Sequence, residues 1–167
     1  MKNIKEIKGI NLAHIWNRTS CLPFGHWIFS RLIGFKVPYS GTIGARVEQL
    51  RPGYARLSLR DKWRIRNHLR SIHAIALLNL GEMTSGLALN MGLPNTVRGI
   101  VVNISIDYKK KARGRLVATC QCDIPHVAET IDYFVTTNIV DQEGDLVAST
   151  VVHWRLGLKE HHTHATG

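Results

Sequence analysis

Ser71-Ile-His-Ala-Ile-Ala-Leu-Leu-Asn-Leu-Gly-Glu-Met-Thr-Ser-Gly-Leu-Ala-Leu-Asn90 is the stretch whose reading decides the fold. Ser71 is a good N-cap, no proline interrupts until Pro94, and Gly92 stands where a stop signal belongs. Twenty residues at ~1.5 Å each make a helix of about 30 Å. Ile72, Ile75, Leu77, Leu78, Leu80, Met83, Leu87 and Leu89 make it apolar on nearly every side. Such a helix is expected to be buried all round rather than laid on a surface.

Strand patterns lie on both sides of this rod. Upstream, Thr42–Leu50 and Tyr54–Trp63 are joined by the turn Arg51-Pro-Gly53. Tyr54, Arg56, Ser58 and Arg60 alternate there with Ala55, Leu57 and Leu59. Downstream come Arg98–Tyr108, Arg115–Cys122, His126–Val140 and Asp145–Leu158, the last two joined through Asp141-Gln-Glu-Gly144. One helix among six strands is not a repeating βαβ pattern. A strand of nine or ten residues is also ~30 Å long. The expected class is therefore α+β, a curved antiparallel sheet wrapped around one long central helix.

Residues 1–36 read as an N-terminal helical segment. Leu12, Ile15 and Trp16 form one helical set, Pro23 breaks the pattern, and Phe24, Trp27, Ile28, Arg31, Leu32 and Phe35 resume it. The aromatics Trp16, Phe24, Trp27, Phe29 and Phe35 read as core covering a sheet edge, with an acyl-chain lid or membrane contact as alternatives. The division expected is residues 1–36, then a sheet domain over 37–158, then a polar flexible tail over 159–167. His161, His162 and His164 in that tail have no evident partner for a metal site.

The whole chain, 167 residues with 22 Lys+Arg against 12 Asp+Glu, fits one domain with a net charge of +10. That excess points to an anionic partner without naming the anion. No apolar run approaches the ~20 residues of a membrane span, and Met1–Lys8 lacks the apolar block of a secretory signal. Cys21, Cys120 and Cys122 form no disulfide framework; all three are expected to be buried thiols in a reducing, cytoplasmic compartment.

Several stretches, in this order, resemble the hotdog-fold acyl-CoA thioesterase superfamily and, within it, a branch known as a domain of unknown function. They are Pro23-Phe-Gly25, Val37-Pro-Tyr-Ser-Gly-Thr42, Arg66-Asn-His-Leu-Arg-Ser-Ile-His-Ala74, Leu80-Gly-Glu82 with Gly86-Leu87, Asp107-Tyr-Lys-Lys-Lys-Ala-Arg-Gly114 and Asp141-Gln-Glu-Gly-Asp-Leu-Val-Ala148. The resemblance spans about residues 20–158. In catalytic relatives an Asn precedes the helix, His-Gly-Gly opens it, and an acid follows nine positions after the His. Asn67, His73 and Glu82 fall at those positions, but Ala74-Ile75 replaces Gly-Gly. The resemblance implies hydrolysis of acyl-CoA or acyl-carrier thioesters without metal or further cofactor, coenzyme A entering only with the substrate. It also implies an active site built across a homodimer.

The residues support a site by themselves. Glu82 lies mid-helix among apolar residues, and an unpaired buried carboxylate must be paired, neutralised or at an interface. Asn79 and Ser85, each ~60° away on the wheel, form a polar strip with it. His73 and Glu82 are separated by ~13.5 Å of rise and point to opposite sides, so one chain cannot bring them together. Two antiparallel copies of the helix across a two-fold axis can.

The expected site is then Glu82 of one subunit as base or nucleophile, and Asn67 or His73 orienting carbonyl or water, with Ser85 on the same strip. The backbone N–H groups of Ala74 and Ile75 would receive the oxyanion. Lys109, Lys110, Lys111 and Arg113, with Arg115 beside them and Arg98 added from a nearby turn, would hold the phosphates of coenzyme A, or else form a solvated basic turn. Self-association to a homodimer, or a tetramer built from it, is expected. Nucleic acid and membrane are not expected partners. The competing function is a hotdog module that binds acyl-CoA without turnover, which the Ala74-Ile75 departure favours.

Overall fold

The computed structural model describes residues 12–159. The tail histidines and the first eleven residues lie outside the described residues. Two helices come first, α1 (Leu12–Ser20) and α2 (Gly25–Lys36), then a single turn α3 (Pro38–Gly41). The hairpin β1 (Arg46–Arg51) and β2 (Tyr54–Arg60) leads to the long helix α4 (Ala74–Gly92). Then follow β3 (Val97–Tyr108), β4 (Arg115–Gln121), β5 (Ile131–Val140) and β6 (Leu146–Leu158). All six strands pair antiparallel in the order β1-β2-β4-β5-β6-β3, and α4 packs against every one of them. The wrapped-sheet expectation therefore holds.

Alternation drives the strands onto the rod. Ala55, Leu57 and Leu59 of β2 are fully buried, as are Leu116, Ala118 and Cys120 of β4. Close approach of helix and sheet needs a missing side chain at Gly81, where a Cβ would lie 2.3–2.9 Å from the side chain of Thr150 on β6.

Three expectations are corrected. First, α4 begins at Ala74 and its cap is His73, whose Nδ1 accepts from the Ile75 N–H at 3.1 Å. Ser71 cannot cap because residues 71–73 are held extended. The Ile72 N–H donates to Ala112 O, the His73 N–H to Ile65 O, and the Ser71 hydroxyl to Asn67 Oδ1. Second, α4 is not buried all round. A strip running through Ile75 (48% exposed), Leu78 and Glu82 is left partly open. Third, the third downstream strand starts at Ile131, not His126.

The N-terminal aromatics divide. Trp16 and Phe29 are core, packed edge to face at 4.9 Å, while Phe24, Trp27 and Phe35 are exposed. α2 lies against β1, and the Ser30 hydroxyl accepts the Val47 N–H at 2.9 Å. Cys120 is buried and Cys122 half-buried, but Cys21 is exposed on the turn after α1.

Candidate active site

Glu82 sits in the middle of α4 between two hollows. One, of about 280 Å³, lies between α4 and the core-facing side of β3 and is lined by Tyr39, Ile75, Leu78, Asn79, Val101 and Ile104. The other, of about 350 Å³, lies under α1–α3 and is lined mainly by apolar residues that include Ile33, Met83, Leu87 and Trp154, with Lys36 and Lys159 also on its wall. Gly86 keeps this second hollow open beside the acid: a Cβ there would touch the Trp154 ring at 3.2 Å and lie 3.9 Å from Glu82 Oε1.

No cation lies within 4 Å of the Glu82 carboxylate among the described residues. Burial pushes its carboxyl above the ordinary glutamate value. One turn earlier, Asn79 donates from Nδ2 to Tyr39 O at 3.4 Å, and its buried Oδ1 has no partner. A half-buried acid beside an unsatisfied acceptor, both facing apolar space, can hold a water by its two hydrogens.

The other expected residues are placed as follows. Ser85 is fully buried and its hydroxyl donates to the Glu82 carbonyl at 2.9 Å, so it stabilises the helix turn rather than facing either hollow. Asn67 Oδ1 accepts from the Leu69 N–H, the Ser71 N–H and the Ser71 hydroxyl; it organises the loop before α4. His73 is at the exposed mouth of α4, and the cap it forms occupies the Ile75 N–H that was expected to face an oxyanion. The Ala74 N–H remains at the helix start. Tyr108, which the sequence reading did not single out, donates its hydroxyl to Ala74 O at 3.1 Å and so ties the end of β3 to that mouth.

The basic corner beyond Tyr108 is smaller than the sequence suggested. Lys110 lies 2.6 Å from Asp141 Oδ2 and 2.8 Å from Asp145 Oδ2. The hydrogen bond to Asp141 is the chief cause that drives the ammonium up and the Asp141 carboxyl down. This is a structural clamp on the β5–β6 turn. Lys111 and Arg113 are exposed there, with Lys109 3.9 Å from Asp107. Arg98 is at the far end of β3, ~36 Å away along a twelve-residue strand, and cannot join them. Arg115 turns away to pair with Glu48.

A single antiparallel sheet wrapped around one long helix is the hotdog fold. Residues 25–156 match the family described as Domain of unknown function (DUF4442), and the chain belongs to that family. Its structure is similar to that of a structural-genomics protein, 23% identical, with a TM-score of 0.76 over 90% of this chain and 100% of that one. It is also similar to a protein of unknown function from Pseudomonas aeruginosa described as a probable thioesterase, 23% identical, TM-score 0.71, over 83% of this chain and 97% of that one. A thioesterase from Haemophilus influenzae is 13% identical, with a TM-score of 0.66 over 75% of this chain and 87% of its own. At these identities the likeness carries the fold. No curated protein sequence matches the chain. Among the described residues no helix is long and apolar enough to cross a membrane.

Proposed function

We propose that this protein hydrolyses acyl-CoA or acyl-carrier thioesters at a site completed by a second copy of the chain. The observation that carries this is the placement of Glu82: a half-buried, cation-free carboxylate with a raised pKa, bordered by two largely apolar hollows. The hollow under α1–α3 suits an acyl chain. The hollow against β3 opens toward a twelve-residue edge strand that pairs with β6 on one side and, among the described residues, has no strand on the other; it carries exposed Ile100 and Val102. A long unpaired edge of this kind is a template for a second copy. Pairing it across a two-fold axis would set the two α4 helices side by side and cover Ile75 and Leu78.

In this reading Glu82 takes a proton from a water that Asn79 Oδ1 also holds. The oxygen attacks the thioester carbon, and the oxyanion is received at the partner helix's mouth by the Ala74 N–H and the helix dipole. The C–S bond breaks, and the thiolate leaves with the proton returned by Glu82.

The test is thiol release from acyl-CoAs of graded chain length. Glu82→Gln is expected to lower kcat by ~10²–10⁴ with binding retained. Equal turnover by the variant overturns the proposal. A non-catalytic acyl-CoA-binding module is the second reading. It is favoured by one observation: the Ile75 N–H is already bound to His73, which leaves a single free donor where catalytic relatives have an open Gly-Gly turn. Binding without thiol release by the wild type supports it.

A further inference from the structure

A further cavity, of about 940 Å³, is neither of the hollows beside Glu82. It lies between α2 and the outer part of the β1–β2 hairpin, within the ~300–1,000 Å³ typical of small-molecule and cofactor sites. Its wall carries Arg31, Arg46, Arg60, Lys62 and Arg115 against the one carboxylate of Glu48.

The charge there is uncompensated. Glu48 is already committed to Arg115 and, at 3.5 Å, to Arg56 outside the cavity. Burial would raise the Glu48 carboxyl, but hydrogen bonds from Ser58 and Arg115 outweigh it and hold the group below its ordinary value, so it stays ionised. Among the described residues, Arg31, Arg46, Arg60 and Lys62 have no acid within 4 Å. Arg60 and Arg115 even stand directly opposite each other in the β2–β4 register. Like charges so placed are destabilising, and a bound polyanion relieves them. Trp27 (57% exposed) and Phe35 (86% exposed) complete the lining, two large aromatic surfaces left in water beside the cations.

We propose that this chamber binds a nucleoside bis- or polyphosphate, with the phosphates on Arg46, Arg60, Lys62 and Arg31 and the base against Trp27 and Phe35. Guanidinium groups fork to two phosphate oxygens, and a planar base covers exposed aromatic area. The concave shape suits a small molecule better than a flat protein face. Ser40 and Met83 line both this chamber and the hollow that holds Glu82, so the two share a wall. The nucleotide can be the end of a coenzyme A thioester, in which case the inference rests on the proposed thioesterase reading, or a free nucleotide.

Calorimetric titration of the full chain with adenosine 3′,5′-bisphosphate tests this. Saturable, salt-sensitive binding is expected. Arg46→Ala with Arg60→Ala should weaken it by ~100-fold or more, and Trp27→Ala by ~10-fold. Lys109→Ala with Lys111→Ala and Arg113→Ala should leave it within ~2-fold. The substituted chamber residues are exposed, and a thermal melt checks that the fold is intact. No binding, a loss confined to the Lys109–Arg113 variant, pyrophosphate binding as tightly as the nucleotide, or tighter binding of single-stranded DNA each overturns the proposal. The two sources separate in steady-state assays. If the nucleotide belongs to the substrate, the chamber variant raises KM for an acyl-CoA and not for the matching acyl-pantetheine. If it is free, both KM values stay unchanged. Binding without any thioester hydrolysis would sink the thioesterase reading and leave the chamber standing; hydrolysis without nucleotide binding would do the reverse.

Discussion

The two edges of the sheet are treated in opposite ways. At β1, helix α2 lies alongside, Phe29 is fully buried, and Ser30 accepts the Val47 N–H that would otherwise invite another strand. At the outer side of β3 no described residue lies alongside: the strand is twelve residues long and shows Ile100 and Val102 to water. An edge is a liability that a monomer blunts. The longer edge is the one left open, it lies beside the Glu82 hollow, and in the proposed function it is the edge that takes the second copy.

This contrast can be broken most severely at β3. Val102→Lys puts a charge on the open edge where one chain tolerates it and a paired edge does not. Light scattering should give a dimer for the wild type and a monomer for the variant, with thiol release down ~100-fold or more. A wild-type monomer that hydrolyses thioesters would remove the shared site. The next effect belongs to the covered edge. Phe29→Ala should cost ~3–4 kcal/mol by denaturant unfolding, because it empties a packed position under α2, yet leave the remaining folded protein dimeric.

A smaller effect reports on the acid between the edges. Its carboxyl is raised by burial, so the folded state holds that proton to higher pH than the unfolded chain does. Stability from this group therefore falls as pH rises from the ordinary glutamate value through the raised one. Glu82→Gln should raise Tm at pH 8 and leave it unchanged at pH 4, while wild-type hydrolysis gains its acid limb above the usual carboxylate range. The smallest effect is expected of Ser30→Ala. Loss of one neutral hydrogen bond should cost ~1 kcal/mol with no change in association or turnover; a shift toward larger assemblies would show that the serine itself guards the β1 edge.

Much of this was legible in the chain. The six strands follow from alternation, and α4 from twenty residues without a breaker. Glu82 stood out because an acid amid leucines needs a reason. Three other readings, of Ser71, Ser85 and Lys110, failed for one physical cause, competition for polar partners that spacing does not reveal. Ser71 is a good cap by type, but Asn67 and Ala112 claim its neighbourhood, and His73 takes the role. Ser85 is on the right side of the wheel, but its hydroxyl finds the Glu82 carbonyl first. Lys110 belongs to a basic run by sequence and to Asp141 and Asp145 in space.

Periodicity and composition thus determined the architecture, since burying apolar faces of period 2 and 3.6 leaves few ways to stack these elements. They determined the position of the acid and the sign of the overall charge. Tertiary structure alone decided which edge stays open, which cations keep a free charge, and that Arg31, Arg46, Arg60 and Lys62 converge on one chamber from α2, β1, β2 and the loop after it. Those outcomes depend on contacts between residues far apart in the chain, and no local pattern encodes which partner a charged or hydrogen-bonding group meets first.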